Sequence, residues 1–122
     1  MTNKAKVLVN WQGLEYRPFV ITDILFPGAY FGQSLPDDRL NFYEVEKQFF
    51  EDNEDEWSAT EIVNAPQLRV EANFERAVRV RIRAVLRDGG KTPWVYSVWF
   101  ALYGFEASFA NYRNNSIFLG VI

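Results

Sequence analysis

The sequence predicts an all-β domain, an antiparallel sandwich or barrel. Three observations predict it: period-two alternation within the segment Arg76 to Leu86, a glycine-containing reversal directly after it, and no sustained helical stripe anywhere in the 122 residues. In the first segment Val78, Val80, Ile82, Ala84 and Leu86 share one parity and Arg79, Arg81 and Arg83 the other, so a strand would put aliphatics on one face and guanidinium groups on the opposite one. Asp88-Gly89-Gly90-Lys91 then supplies residues that tolerate the positive φ of a tight turn, and a hairpin follows. Its return arm, Trp94 to Tyr103, is aromatic or β-branched on both parities, which predicts a central strand covered on both faces.

The remaining elements follow from weaker patterns. Leu68, Val70, Ala72 and Phe74 alternate with Arg69, Glu71 and Asn73, a one-sided strand after the break at Ala65-Pro66. Tyr16 to Phe26 reads as another strand, ended by Pro27-Gly28. Asn41 to Phe50 fits two periods. Strand is favoured, and a short helix there would make the fold α+β. Ser116 to Ile122 is an apolar tail that pairs as a last strand, while Gly28–Asp38 and the acidic run Glu51-Asp52-Asn53-Glu54-Asp55-Glu56 are expected as surface loops.

Length supports one domain spanning residues 1–122, since a chain of this size buries roughly two-thirds of its unfolded surface around a single core. Composition narrows the function classes. The absence of Cys removes thiolate chemistry and disulfides; the absence of His removes the commonest general base and metal ligand. No nucleophile elbow, phosphate loop or metal-ligand spacing is present, so no catalytic residue, metal or cofactor is expected. A net charge of -3 gives no field for nucleic acid. Only Val7-Leu8-Val9 separates the first lysines from Asn10, too little for a signal core, and the apolar run Trp94–Phe105 is shorter than a membrane helix. A cytoplasmic protein or a virion component is expected.

With 11 Phe, 6 Tyr and 4 Trp, the aromatic content exceeds what one small core needs, which points to rings at an interface. The interface candidates are Arg79, Arg81 and Arg83 on one strand face, Trp57 beside the acidic run, expected to be exposed, and Phe118 in the C-terminal tail. For the arginines a solvated face paired with Glu71, Glu75 or the acidic run stands beside a docking face for an acidic partner or a second copy. Calcium at Asp52, Glu54 and Glu56 would need a turn glycine and a distant bidentate Glu, which are missing. A carbohydrate platform would need several tryptophans on one face, yet Trp94 and Trp99 have opposite parity and a regular strand cannot bring them together.

Phe74, the alternating Val78-Arg79-Val80-Arg81-Ile82, Gly90-Lys91-Thr92, Trp94-Val95, Val98 and Phe105, with the earlier Thr22-Asp23-Ile24-Leu25-Phe26-Pro27, resemble the β-sheet half of the SecB export chaperones. The resemblance implies stacked antiparallel sheets in a tetramer with apolar grooves for unfolded polypeptide. No helical pattern follows the sheet before Ile122, and no binding residue is carried over. The expected function is thus a non-enzymatic protein-interaction or assembly module, self-associating or part of a larger particle such as a virion, with a SecB-like chaperone or a carbohydrate-binding domain as alternatives.

Overall fold

The computed structural model describes residues 4–14, 25–73, 76–103 and 116–120. Among these residues all regular structure is β and none is helical: β1 (Lys4–Asn10), β2 (Leu40–Phe49), β3 (Glu61–Val63), β4 (Gln67–Asn73), β5 (Val78–Leu86), β6 (Val95–Tyr96), β7 (Trp99–Tyr103) and β8 (Ser116–Gly120). They form two sheets and no closed barrel. A ribbon of β1 and β4 is antiparallel, and a larger sheet runs β3-β2-β5-β7-β8 with β6 also paired to β5. All of its pairings are antiparallel except β7 with β8, which is parallel and departs from the purely antiparallel expectation. The segment expected as a strand from Tyr16 to Phe26 lies outside the described residues up to position 24; Leu25 and Phe26 sit in a turn and are buried.

Asn41 to Phe50 resolves as strand because β2 lies between β3 and β5 and its two parities meet different surroundings. Tyr43 and Val45 are buried opposite Ala84 and Ile82 of β5, whereas Glu44 and Glu46 lie beside Arg83 and Arg81 on the other face. Val7, Val9 and Val70 of the ribbon join the core cluster with Tyr43, Val45, Val80 and Ile82, which places the ribbon over the aliphatic face of the large sheet. Trp11 meets Tyr43 edge-on with ring centres 5.3 Å apart, and Phe31 stacks on the same ring at 6.2 Å. Gly28–Asp38 carries no strand, as expected of a loop, but Phe31 and Leu35 within it are fully buried, so it closes the core rather than lying on the surface.

The reversal at Asp88–Lys91 is a hairpin turn. Gly89 takes φ 91°, its N–H donates to Leu86 O at 2.9 Å, and Asp88 Oδ1 accepts the Gly90 N–H at 2.8 Å. The return arm is not one continuous strand. Two bulges interrupt it, one before β6 and one between β6 and β7, and those bulges build the site described next.

Candidate functional site

Three hydroxyl side chains act as identical clips along the large sheet. Thr92 N–H donates to Ala84 O at 3.0 Å, while its Oγ1 accepts Ala84 N–H at 2.9 Å and donates to Pro93 O at 3.1 Å. Ser97 repeats this: its N–H reaches Val80 O at 2.8 Å, its Oγ accepts Val80 N–H at 2.9 Å, and the hydroxyl donates to Val98 O at 2.8 Å. Ser58 does the same against Lys47 of β2, with both cross-strand bonds at 2.9 Å and a third to Ala59 O at 3.2 Å. In each case a side-chain oxygen stands in for a backbone carbonyl, so the partner N–H stays satisfied while the chain gains a residue.

The consequence is a change of parity. Between Val85↔Lys91 and Ile82↔Val95, and again between Arg81↔Tyr96 and Val78↔Phe100, β5 advances three residues while the return arm advances four. Trp94 and Trp99, which a regular strand would send to opposite faces, therefore both lie on the arginine face. This overturns the parity exclusion drawn from the sequence. The slip fails to follow from alternation because alternation assumes an unbroken ladder.

The face is a three-rung ladder. On one side β2 supplies an acceptor to each arginine: Glu44 Oε1 to Arg83 Nε at 2.7 Å, Glu46 Oε1 to Arg81 Nε and Nη2 at 3.0 and 2.6 Å, and Gln48 Oε1 to Arg79 Nε at 3.0 Å. On the other side the guanidinium groups lie against rings. Arg83 is 4.3 Å from the centre of Trp94, Arg81 lies 4.3 Å from Trp94 and 4.1 Å from Trp57, and Arg79 sits among Trp99, Trp57 and Tyr96 at 4.7, 5.2 and 5.2 Å. Phe50 extends the surface by an edge-on contact with Trp99 at 5.1 Å, and Trp57 meets Tyr96 at 5.8 Å. Each cation–π contact contributes about 0.5–2 kcal/mol depending on desolvation.

Among the described residues the three ladder arginines thus pair with Glu44, Glu46 and Gln48, not with Glu71 or the acidic run; Glu75, the other partner expected, lies outside the described residues. Among the described residues Arg76 is the arginine that reaches that run, at 3.1 Å from Glu51 and 3.9 Å from Asp52. The side chains of Arg81 and Glu46 are 20% and 13% exposed and those of Arg83 and Glu44 are 26% and 15%, so the ladder is half-buried rather than solvated and its pairs are shielded from salt. Trp57, expected exposed, is half-buried for the same reason. The structure brings Trp57 and the three arginines together. Phe118 stands apart on β8, where backbone register places it opposite Ala101 of β7. The residues missed in the sequence are Glu44, Glu46, Gln48 and Tyr96, while Trp94 and Trp99 were set aside on parity; the signal for the first three was Glu44-x-Glu46-x-Gln48, a spacing-two complement to Arg79-x-Arg81-x-Arg83.

Burial alone would push the Glu46 carboxyl up, but hydrogen bonds from Thr60 and Arg81 and the charges of Arg81 and Arg83 outweigh it and hold the group below its ordinary 4.5. A depressed carboxylate adds stability above its ordinary pKa and loses it as pH falls through the folded value. Glu46→Gln should therefore lower the urea midpoint at about pH 7, and the gap to wild type should narrow at about pH 3. An equal gap at both values would contradict the assignment.

Gln48 is the junction of the ladder with the acidic run. It is buried, and because a guanidinium can only donate, its oxygen must face Arg79 and its amide nitrogen the other way. That nitrogen lies 3.1, 3.0 and 3.2 Å from the carbonyls of Asn53, Glu54 and Glu56. Glu56 N–H closes a turn on Asn53 O at 2.9 Å, leaving Glu54 and Asp55 exposed at its tip.

Other places in the fold offer less. A cavity of about 40 Å³ between the sheets, lined by Val45, Lys47, Leu68, Val70 and Val80 among others, has room for water rather than an organic ligand. Among the described residues no group of three His, Cys, Asp or Glu is placed to hold a metal ion, and no helix is long and apolar enough to cross a membrane. Comparison with protein-family models, with curated proteins and with solved structures finds no match to this chain.

Proposed function

We propose that this chain is a non-catalytic protein-interaction module that self-associates through the arginine–aromatic face. The observation that carries the reading is the outer margin of that face: Phe50 and Tyr96 are 64% and 45% exposed, and each contacts a tryptophan that a ladder arginine holds in place. Trp, Tyr and Arg are the side chains that dominate protein interfaces energetically, and rings already fixed by packing lose little entropy when a partner covers them. The guanidinium groups occupy one side of the three indoles, so stacking by a pyranose is less favoured than coverage by protein.

Sedimentation velocity over a concentration series tests the reading. Wild type should associate, and Phe50→Asp and Tyr96→Asp, each at an exposed position, should weaken association about tenfold or more while leaving the far-UV circular dichroism unchanged. A wild type that stays monomeric throughout, or variants that associate as wild type does, would overturn it.

A further inference from the structure

The ladder is charge-matched at two rungs and not at the third. Arg83 and Arg81 face the carboxylates of Glu44 and Glu46, but Arg79 faces the neutral amide of Gln48 and forms no ion pair among the described residues. The mismatch follows from what Gln48 does on its other side. Three carbonyl oxygens converge on its nitrogen, and a carboxylate at that position could donate to none of them. Holding the acidic turn thus leaves Arg79 uncompensated, in a basket of Trp57, Tyr96 and Trp99 where a cation is poorly hydrated and an incoming carboxylate is favoured.

The same amide fixes the turn beside that arginine. Of the five acidic residues in Glu51–Glu56, Glu51 and Asp52 are engaged with Arg76 and Glu56 accepts from Asn53, whereas Glu54 and Asp55 are exposed at the tip and have no side-chain partner among the described residues. An unmatched cation and unmatched carboxylates therefore sit on either side of Gln48, which bonds to Arg79 and to the backbone of the turn, and they form no ion pair with each other among the described residues. A surface carrying opposite charges side by side is complementary to its own copy rotated by a two-fold axis.

We infer that the partner on this face is a second copy of the chain, in an isologous dimer in which the Glu54-Asp55 turn of each copy supplies the carboxylate for Arg79 of the other. The inference rests on the self-association reading and names its contacts. Because the pairing is electrostatic, wild-type association should weaken as salt rises.

A charge exchange between two variants tests it. Arg79→Glu and the double variant Glu54→Lys/Asp55→Lys should each self-associate at least tenfold more weakly than wild type, since each sets like charges against each other across both halves of the interface. Mixed in equal amounts they should form a heterodimer approaching wild-type affinity, because both contacts are then complementary. The turn variant alters only exposed side chains, so it reports even if Arg79→Glu perturbs the fold; Arg79→Gln then replaces it and should pair better with wild type than with itself. If the charge variants associate like wild type, or the mixture gives no heterodimer while Phe50→Asp still weakens association, the turn-to-arginine contact is wrong and the face survives as an interface. If wild type does not associate at all, both readings fall.

Discussion

Gln48→Glu is expected to destabilise the fold by about 2–4 kcal/mol, although it would complete the row of ion pairs along β2. Pairwise charge counting gives the opposite sign, because a carboxylate at position 48 would give Arg79 the counterion that Glu44 and Glu46 give their own arginines. The buried amide decides the outcome. Its nitrogen is the donor to the carbonyls of Asn53, Glu54 and Glu56, and replacing it with oxygen removes those bonds and sets negative charge against three carbonyl dipoles in a position that is 2% exposed. The introduced carboxyl is pushed toward its protonated form there, so the deficit should shrink as pH falls and a donor is regained. Urea denaturation of both proteins over a pH series reads the effect. A variant at least as stable as wild type near neutral pH would mean that the turn is not held by Gln48.

Ser97→Ala is expected to cost about 1–3 kcal/mol, because it strands the Val80 N–H, a buried donor in the middle of β5. The loss is more than one hydrogen bond. Without the hydroxyl the bulge has no substitute acceptor, and a regular ladder would turn Trp99 away from Arg79 to the core face beside Val78, sending Phe100 out of the core. Ser97→Thr keeps the oxygen and should remain near wild type, as should the reverse exchange Thr92→Ser, whereas Thr92→Val should behave like Ser97→Ala at the other clip. Chemical denaturation followed by tryptophan emission separates these cases, since dislocation of Trp99 changes its surroundings as well as the midpoint. A Ser97→Ala protein within about 0.5 kcal/mol of wild type would show that the hydroxyl does not carry the bulge.

The parts of this fold legible in the sequence are those where a repeating pattern meets a single environment. β5 alternates from Val78 to Ala84, flanked on one side by core and on the other by the ladder, so both faces could be read there, and the alternation yields only at Val85, which is buried on the arginine parity. The Asp88-Gly89-Gly90 turn was legible because its chemistry is local. Arg79, Arg81, Arg83 and Trp57 were identifiable as surface candidates, but their relation to one another was not, since it depends on Ser58 and Ser97 exchanging a backbone acceptor for a hydroxyl. A serine between Tyr96 and Val98 looks like any polar residue in a strand. Only the recurrence of hydroxyl-x-Trp at Thr92–Trp94 and Ser97–Trp99 hints that both tryptophans are re-aimed by the same device.

β1 and β3 went unread for a different reason. β1 is mixed in character, with Leu8 exposed between buried Val7 and Val9, and β3 has only three residues, Glu61–Val63, held by pairing to β2 and not by any pattern of its own. The parallel pairing of β8 with β7 is a long-range choice that no local periodicity encodes. The Glu44, Glu46 and Gln48 partners were hidden by the competing helical spacing of Phe42, Val45 and Phe49, which the flanking strands override.

The most direct test is a nuclear magnetic resonance concentration series that follows the arginine Nε–H, indole Nε1–H and backbone amide signals. In dilute protein the Arg79, Arg81 and Arg83 Nε–H signals should be shifted by ring currents, with cross-relaxation from Arg79 to Trp99 and from Arg83 to Trp94. As concentration rises, the Arg79, Tyr96 and Glu54–Asp55 signals should move together while those of the β1–β4 ribbon stay fixed. Arginine signals at random-coil positions, cross-relaxation from Trp99 to Val78 instead of Arg79, or concentration-dependent shifts confined to the ribbon would contradict an arginine–aromatic face built by register slips and used for self-association.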